Sequence, residues 1–389
     1  MGIKIKISDR LKRLPPYLFV EIDKQKKKKI KEGRDIIDLG IGDPDQPTPD
    51  FIITAFNEAM KDPANHRYPS NAGLSELRAA IAGWYRGRFN VKLDPDREVL
   101  PLIGSKEGIA HAPLAFINPG DSVLVPNPCY PPYKGGTIFA GGEPVLMPLL
   151  QNNGFLPDLS AIPASAAKRA GMMFLNYPNN PTSAAADKSF FKRAVEFAVK
   201  NNILICHDAA YSEVYYDGAR PASFLEVEGA KEAGIEFHSL SKTFNMTGWR
   251  IGFACGNSEA IAALGKVKSN IDSGIFRAIQ RAGIEALKNG DNFSNSMREV
   301  YQKRRDVLID GLNSIGWKAA KPEATFYVWL NTPNGSDSIS VAKRLLDEAD
   351  IVATPGVGFG PSGEGFVRVA LTVPETRLKE AVERIKKVL

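Results

Sequence analysis

Five short apolar runs in the middle of the chain constrain its fold more than any other feature. Each run is largely apolar at consecutive positions rather than at alternate ones, which is typical of strands buried on both faces of a parallel sheet. Helical segments such as Lys188–Asn201 lie between them, so we predict an α/β fold in which helices flank a mostly parallel central sheet. The runs are Ser122–Pro126, Met172–Asn176, Ile203–His207, Glu236–Leu240 and Ile251–Cys255.

The last third of the chain has a different pattern. A long charged segment, 278–315, is predicted to form a helix. Two short predicted strands follow, Thr325–Trp329 and Phe366–Leu371, and a closing helix is predicted to begin at Glu375. Helices and strands that are not in regular alternation favour a smaller α+β unit.

The length of the chain indicates how these two parts are divided. A single hydrophobic core stops growing at about 250–300 residues, whereas this chain has 389. We therefore predict two domains. The large one spans residues 46–280, and the small one is formed by residues 1–45, with an N-terminal arm, and 281–389.

The charge pattern argues against a nucleic-acid partner. The net charge is +6, and the densest basic run is Lys24–Lys31. No aromatic residue lies among these lysines and no nucleic-acid-binding motif follows them, so we interpret the run as a solvated helix face.

Cysteine usage and hydropathy narrow the class of protein further. The three cysteines, Cys129, Cys206 and Cys255, form no C-x-x-C pair, and the histidines show no metal-ligand spacing. We expect neither a disulfide framework nor a metal site. No apolar stretch approaches the roughly 18 residues that a membrane-spanning helix needs. We therefore expect a cytoplasmic protein with no membrane partner.

The segment that begins at Ser239 predicts chemistry rather than packing alone. Its sequence, SLSKTFNMTGWRIG, puts Lys242 directly after a buried strand, where an ammonium group is costly to bury. Such a lysine can act as an amine of lowered pKa for Schiff-base chemistry. Ser239, Ser241 and Arg250 are suited to hold an anion beside it. Taken alone, the pattern also fits a surface lysine with a salt-bridged arginine.

This fourteen-residue segment resembles the lysine signature of the class I and II aminotransferases, the aspartate-aminotransferase-like branch of the fold type I enzymes. Other motifs of that family lie in the family's order between residues 39 and 371, so the resemblance covers nearly the whole chain. It implies a fold type I structure and pyridoxal 5′-phosphate (PLP) as the cofactor. It also implies that Lys242 is the covalent anchor, and that the substrates are an amino acid and a 2-oxo acid.

Two residues close to the strand at 203–207 complete the catalytic set that the resemblance implies. Asp208 follows the strand directly, and Tyr211 lies three residues further on. A carboxylate in this place can keep the ring nitrogen of the cofactor protonated, and Tyr211 matches the family's phenol that hydrogen-bonds the O3′ atom. On the residues alone, Asp208 also fits a helix-capping aspartate.

Two further matches concern the phosphate and the ring of the cofactor. The segment G-S-K-E-G at 104–108 precedes a predicted helix, and free N–H groups at a helix N-terminus form an anion site. The resemblance assigns Ser105 and Lys106 to the phosphate. It also matches Tyr130 to the aromatic residue that stacks on the ring, although a core tyrosine fits the same pattern.

The turn after the strand at 172–176 resembles the family's N-P-x-N-P-T-G motif. By this resemblance Asn180 donates to O3′ and contacts the substrate carboxylate. The sequence departs from the motif at Ser183, where the family usually has glycine. A plain Pro/Asn-rich turn is the alternative interpretation.

Three matches lie outside the central sheet. Arg368, in a strand of the predicted small domain, resembles the residue that binds the substrate α-carboxylate, and a guanidinium suits that role because its planar fork matches a carboxylate. Gly42, in LGIGDPD, resembles the loop that closes over the substrate. Tyr68 resembles a tyrosine that reaches the phosphate of the neighbouring subunit, which implies a homodimer with shared active sites.

The substrate is the least constrained part of the prediction. The segment Leu14–Phe19, with Tyr17, and the lysine in G-S-K-E-G are similar to those of family members that act on LL-2,6-diaminopimelate in lysine biosynthesis. We therefore predict transfer of an amino group from that donor to 2-oxoglutarate by a ping-pong mechanism. Aspartate, alanine or aromatic donors, and a PLP-dependent β-lyase reaction, stay open. Arg277 stands where an asparagine is usual in the family.

Overall fold

The predicted sheet is formed by seven strands in the part of the chain that the computed structural model describes, residues 2–14 and 18–388. Numbered along the chain, all the strands of these residues are β1 (Ile37–Asp38), β2 (Val99–Leu102), β3 (Ser122–Asn127), β4 (Glu143–Pro148), β5 (Ala170–Asn176), β6 (Leu204–Asp208), β7 (Gly234–Ser239), β8 (Gly252–Gly256), β9 (Tyr327–Asn331), β10 (Ile351–Val352), β11 (Thr354–Pro355) and β12 (Phe366–Ala370). The order across the central sheet is β2-β8-β7-β6-β5-β3-β4.

One strand of this sheet runs against the rest. The neighbouring strands β4, β3, β5, β6 and β7 are parallel, whereas β8 is antiparallel to both β7 and β2. A parallel connection needs a crossover that returns the chain to the other end of the sheet. Between β7 and β8 lie only one helical turn, Leu240–Thr243, and a short loop, so the chain reverses instead. The fifth apolar run is therefore an antiparallel strand in an otherwise parallel sheet.

The helices alternate with the strands through the first two thirds of the chain. They are α1 (Asp9–Lys12), α2 (Leu18–Lys31), α3 (Asp50–Met60), α4 (Ser75–Phe89), α5 (Ser105–Phe116), α6 (Pro132–Phe139), α7 (Ala164–Arg169), α8 (Lys188–Asn201), α9 (Ala230–Ala233), α10 (Leu240–Thr243), α11 (Ser258–Ser269), α12 (Arg277–Asn289), α13 (Asp291–Ser314), α14 (Ser338–Ala349) and α15 (Glu375–Lys386). The bounds of α8 agree with the sequence prediction because both ends carry strong signals. Asp187 accepts a hydrogen bond from the Phe190 N–H at its start, and Asn202 adopts the left-handed conformation at its end.

The prediction of one continuous helix over 278–315 was wrong. The structure has two helices, α12 and α13, which meet at Gly290. A β-carbon at this position would overlap the ring of Phe244 and the carbonyl of Ala286. Glycine therefore allows the junction to pack tightly against the large core.

Two hydrophobic clusters cover the two faces of the central sheet. Successive side chains of a strand point to opposite faces. Accordingly, Leu124 and Met173 pack into one cluster, and Val123 and Met172 pack into the other. Helices α3, α4 and α12 pack together, and α5 packs against α6 and α11. This burial on both faces is why the strands read as continuous apolar runs.

A third hydrophobic cluster joins the start of the chain to its last third. Ile37 and Leu39 pack in it with residues of α13, α14 and α15 and of the antiparallel sheet β11-β12-β9. Strand β9 begins at Tyr327, two residues later than predicted, and Tyr211 of the central region also contributes to this cluster. The exact division at residues 46–280 stays a prediction. Within the described residues, no helix is both long and apolar enough to cross a membrane.

Candidate active site

A cavity of about 220 Å³ lies beyond the carboxyl ends of the central parallel strands. This edge is where ligands bind in open α/β sheets. The cavity brings together residues that are far apart in the sequence, from the segment around residue 42 to strand β12. Nine residues predicted from the sequence line it: Gly42, Ser105, Tyr130, Asn180, Asp208, Tyr211, Ser239, Lys242 and Arg368.

Lys242 lies in the single turn α10, directly after β7, and it projects into this cavity. Its Nζ donates a 3.3 Å hydrogen bond to the carbonyl of Gly42, and it lies 5.6 Å from the centre of the Phe326 ring. Burial lowers the pKa of Lys242. A larger share of neutral amine makes this lysine a better nucleophile and base than a solvated one.

Asp208 is a buried carboxylate at the end of β6. The hydroxyl of Tyr133 donates to its Oδ2 at 2.8 Å, and the Ala210 N–H donates to its Oδ1 at 3.2 Å. Burial raises the pKa of Asp208, and the hydrogen bond from Tyr133 opposes that effect. A carboxylate of this kind is stabilised by a cationic N–H partner in the cavity, because a charge is costly to bury alone.

The N-terminus of α5 forms another end of the site. Ser105 is its first residue, and two glycines allow other groups to approach it closely. A β-carbon at Gly104 would overlap the guanidinium of Arg250, and one at Gly252 would lie 2.8 Å from the Ser105 nitrogen. The free N–H groups of the helix and the arginine nearby are a favourable environment for a phosphate.

Arg368 is buried on β12 at the opposite side of the cavity. Its Nη1 donates to Asn180 Oδ1 at 2.7 Å, and its Nη2 donates to the Gly40 carbonyl at 2.8 Å. Asn180 is held in turn, because its N–H donates to Asn176 Oδ1 at 2.8 Å. The guanidinium therefore has a defined orientation before any ligand binds.

These features fit PLP. The cofactor has a basic ring nitrogen, a phosphate and an aldehyde that reacts with an amine. The cavity offers Asp208 to the first, the Ser105 end of α5 to the second and Lys242 to the third. Tyr130 adds an aromatic ring to the same lining.

Four residues predicted for the site do not line this cavity. Lys106 is exposed on the first turn of α5, and Arg250 is exposed beside that turn with its Nη1 bonded to the Thr247 carbonyl. Ser241 is buried, and its hydroxyl donates to the Met246 carbonyl at 3.5 Å. Tyr68 is 86% exposed.

Two other residues considered from the sequence are Arg277 and Tyr17. Arg277 donates to the carbonyls of Ala64 and Tyr68, at 2.8 and 2.9 Å, and does not line the cavity. Tyr17 lies outside the described residues, so its proposed contact with the substrate stays a prediction.

Three aromatic residues of the site were missed from the sequence. Tyr133 bonds Asp208, and it lies three residues after Tyr130 on the same turn, so its spacing was a usable signal. Tyr327 and Phe359 line the cavity but belong to no motif. Tyr327 belongs to the third cluster and Phe359 lies against Arg368, so tertiary packing brings both to the cavity.

Comparisons with known proteins agree with this geometry. The family model described as aminotransferase class I and II matches residues 34–385. The chain is similar to an LL-diaminopimelate aminotransferase of Desulforudis audaxviator, with 57% identity over 377 residues, which are 97% of this chain and 96% of the relative. It is similar to another of that name in Syntrophobacter fumaroxidans, with 57% identity over 380 residues and 98% of each chain.

Among solved structures, the apo form of BacF from Bacillus subtilis is similar to this chain. The TM-score is 0.96 at 40% identity, and the match covers 100% of this chain and 99% of that one. The predicted α/β fold class, with a mostly parallel central sheet between helices, is confirmed.

Proposed function

Because this chain belongs to the class I and II aminotransferase family, we propose that it moves an amino group from LL-2,6-diaminopimelate to 2-oxoglutarate. Members of this family depend on PLP, so the chain is a PLP-dependent aminotransferase of fold type I, as its motifs predict. The proposed donor rests on the name of the relatives. The observation that carries the proposal is the joint presence of Lys242, Asp208 and Arg368 in one cavity.

Lys242 has two tasks in this proposal, as the anchor of the cofactor and as the carrier of the substrate proton. When bound, PLP supplies a ring that accepts the electrons of the substrate Cα–H bond. With PLP bound, the Nζ atom of Lys242 would be placed to take the proton from the substrate Cα and to release it again, as general base and then general acid. The lowered pKa of Lys242 favours this role, because an amine must be neutral to accept a proton.

Asp208 and Tyr211 hold the two polar atoms of the cofactor ring. Asp208 keeps the ring nitrogen protonated, and a charged nitrogen makes the ring a stronger electron acceptor. Burial raises the pKa of the Tyr211 hydroxyl far above its usual range, so this group stays a proton donor at neutral pH. It is suited to donate to O3′, beside the amide of Asn180.

Arg368 binds the α-carboxylate of the substrate. A guanidinium has five N–H donors in a rigid plane, and Asn180 and Gly40 orient that plane from one side. The substrate is thereby placed with its Cα near Lys242. Release of the first oxo acid before entry of 2-oxoglutarate gives ping-pong kinetics, in which double-reciprocal plots at several acceptor concentrations are parallel.

Tyr68 supports a homodimer with shared active sites. Its backbone is held by Arg277, while its ring is 86% exposed and so is available to a second copy. Mixed dimers of Lys242→Ala and Tyr68→Ala chains test this. If Tyr68 serves the partner's site, each mixed dimer has one site with both lesions and one intact site, so activity returns. No recovery above the two separate variants would contradict shared sites.

The donor is tested with a panel of amino acids. The purified protein with PLP is assayed with LL-2,6-diaminopimelate, aspartate, alanine and aromatic amino acids as donors and 2-oxoglutarate as acceptor, and the glutamate formed is measured. Turnover of another donor but not of LL-2,6-diaminopimelate would reject the proposed substrate. Formation of pyruvate and ammonia from a cysteine conjugate, without any oxo-acid acceptor, would instead indicate a β-lyase.

The anchor is tested separately from the substrate. Lys242→Ala should lose the absorbance band of the bound cofactor that borohydride bleaches in the wild type. Tyr68→Ala is a useful comparison because its own Lys242 is intact and the band should remain. A retained, borohydride-sensitive band in Lys242→Ala would reject Lys242 as the anchor.

A further inference from the structure

Among the described residues, Tyr327 is one of two aromatic residues of the cavity wall that no sequence motif predicts. It is the first residue of β9 and is buried. Its hydroxyl lies 3.1 Å from the hydroxyl of Tyr211, and its ring centre lies 4.0 Å from the guanidinium carbon of Arg368. It therefore contacts a residue proposed to bind O3′ and the residue proposed to bind the substrate carboxylate.

The surroundings of Tyr327 leave it little freedom. A β-carbon at Gly42 would overlap its hydroxyl and ring, so glycine at this position allows the 42 loop to lie directly against it. On the backbone side, the Ser183 hydroxyl donates to the Tyr327 carbonyl at 2.7 Å and lies 2.9 Å from Thr325 Oγ1. The start of β9 is thus bonded to the loop that carries Asn180.

Ser183 occupies the position where the sequence departs from the family motif. Its φ angle is +63°, a left-handed conformation that favours glycine and strains a serine backbone. Its hydroxyl is buried between β9 and the Asn180 loop, and both of its contacts belong to the start of β9. Serine at this position therefore has a strained backbone, but its hydroxyl forms a tether, the hydrogen bond to the Tyr327 carbonyl.

We propose that Tyr327 is a further binding residue of this aminotransferase and that Ser183 is the residue that positions it. We take the Tyr327 hydroxyl as the donor in its 3.1 Å contact with Tyr211, which leaves the proton of Tyr211 for the ligand oxygen and strengthens that donor. Its ring holds the plane of Arg368 by a cation–π contact, so that the guanidinium keeps its orientation at the cavity wall. The inference rests on the proposed cofactor site but not on the identity of the amino donor.

Two substitutions separate the hydroxyl from the ring. In Tyr327→Phe the ring remains, so we expect KM for the amino acid to change little. Without the Tyr327 hydroxyl, Tyr211 becomes a weaker hydrogen-bond donor to the ligand oxygen, and that oxygen becomes more basic. The pH midpoint of the bound cofactor's absorbance should therefore rise, by about half a unit or more for one neutral hydrogen bond. In Tyr327→Leu the contact with Arg368 is lost as well, and KM should rise roughly tenfold.

Ser183 is tested with a matched pair. Ser183→Ala loses the hydroxyl and keeps the strained backbone, whereas Ser183→Gly loses the hydroxyl and relieves the strain. We expect Ser183→Gly to unfold at a higher temperature than Ser183→Ala, yet both should raise KM roughly two- to tenfold, the range of one hydrogen bond. If KM rises in both variants while their melting temperatures differ, the hydroxyl acts by positioning Tyr327 and not through the stability of the fold.

The outcomes are distinguishable from failure of the proposed function. The absorbance titration needs only bound PLP, and KM is measured with whichever donor the panel identifies. An unchanged midpoint in Tyr327→Phe would overturn the role of the hydroxyl, and an unchanged KM in Tyr327→Leu would overturn that of the ring. Wild-type KM in Ser183→Gly, with an impaired Ser183→Ala, would show that backbone strain rather than the tether matters.

Discussion

Replacing Tyr133 by phenylalanine removes a single hydroxyl from behind the buried carboxylate of the site. That hydroxyl donates to Asp208 Oδ2 at 2.8 Å, and the Ala210 N–H donates to Oδ1 at 3.2 Å. A hydrogen bond to a charged group contributes about 1.5–3 kcal/mol, which corresponds to roughly ten- to hundredfold in a rate or equilibrium constant. We expect the lower end, about tenfold, for both PLP affinity and kcat/KM, because the ring N–H of the cofactor compensates in part.

The direction in which the pH profile of Tyr133→Phe shifts follows from the pKa of Asp208. Burial raises the pKa of Asp208, and the Tyr133 hydroxyl opposes the rise because it stabilises the charged form. Without the hydroxyl the pKa of Asp208 rises further. Because only the ionised carboxylate pairs with a protonated ring nitrogen, the acid limb of the kcat/KM profile should move to higher pH.

The assay compares Tyr133→Phe with Tyr177→Phe. The second substitution also removes one buried tyrosine hydroxyl, but that hydroxyl donates to the Phe155 carbonyl at 2.9 Å and does not line the cavity. The dissociation constant of PLP and the pH profile of kcat/KM are measured for both. If the two variants show the same PLP affinity and the same acid limb, the reasoning about Asp208 is refuted.

Three further predictions concern packing and buried charge. Glu236 is fully buried; burial disfavours its charge, but hydrogen bonds from two histidines outweigh this and hold its pKa below the usual range. Glu236→Gln should therefore lower the free energy of unfolding by about 3 kcal/mol near neutral pH, and the difference from wild type should shrink as pH falls below about 4.3, the ordinary glutamate value. Gly290→Ala should cost about 1–3 kcal/mol by overpacking, whereas Gly83→Ala, with open space around its β-carbon, should stabilise by about 0.5–1 kcal/mol; thermal unfolding that ranks them otherwise contradicts the packing argument. Gly42→Ala should raise KM about tenfold by displacing the loop or Tyr327, and a wild-type KM would show that the close approach is not needed.

Much of the site could be predicted because its chemistry follows the strands directly. Asp208 and Lys242 each come within a few residues of a strand end, and parallel strands bring their carboxyl ends to one edge of the sheet. The local order of residues was therefore enough to bring these groups together. The role of Lys106 stays a prediction, since its side chain is exposed and a helix N-terminus places its backbone, but not every side chain, toward the site.

The strands of the fold could be predicted from the sequence, but the direction of β8 and the helix break at Gly290 could not. Burial on both faces produces continuous apolar runs whether a strand is parallel or antiparallel, so the direction of β8 could not be read from the run itself. Gly290 likewise looks like one weak helix residue in a long charged segment. Its role depends on the ring of Phe244, which lies far away in the sequence.

The fold class, the family and the placement of Lys242 and Asp208 at strand ends could all be predicted from the sequence alone, because these depend on periodicity and on short motifs. Only the tertiary structure decided which aromatic groups complete the cavity. Tyr327 and Phe359 come from segments with no motif of their own, and contact with Arg368 gives them their place. The physical reason is that such contacts form between segments that are far apart in the sequence. The spacing of residues within one segment does not indicate which residue of another segment will lie opposite it.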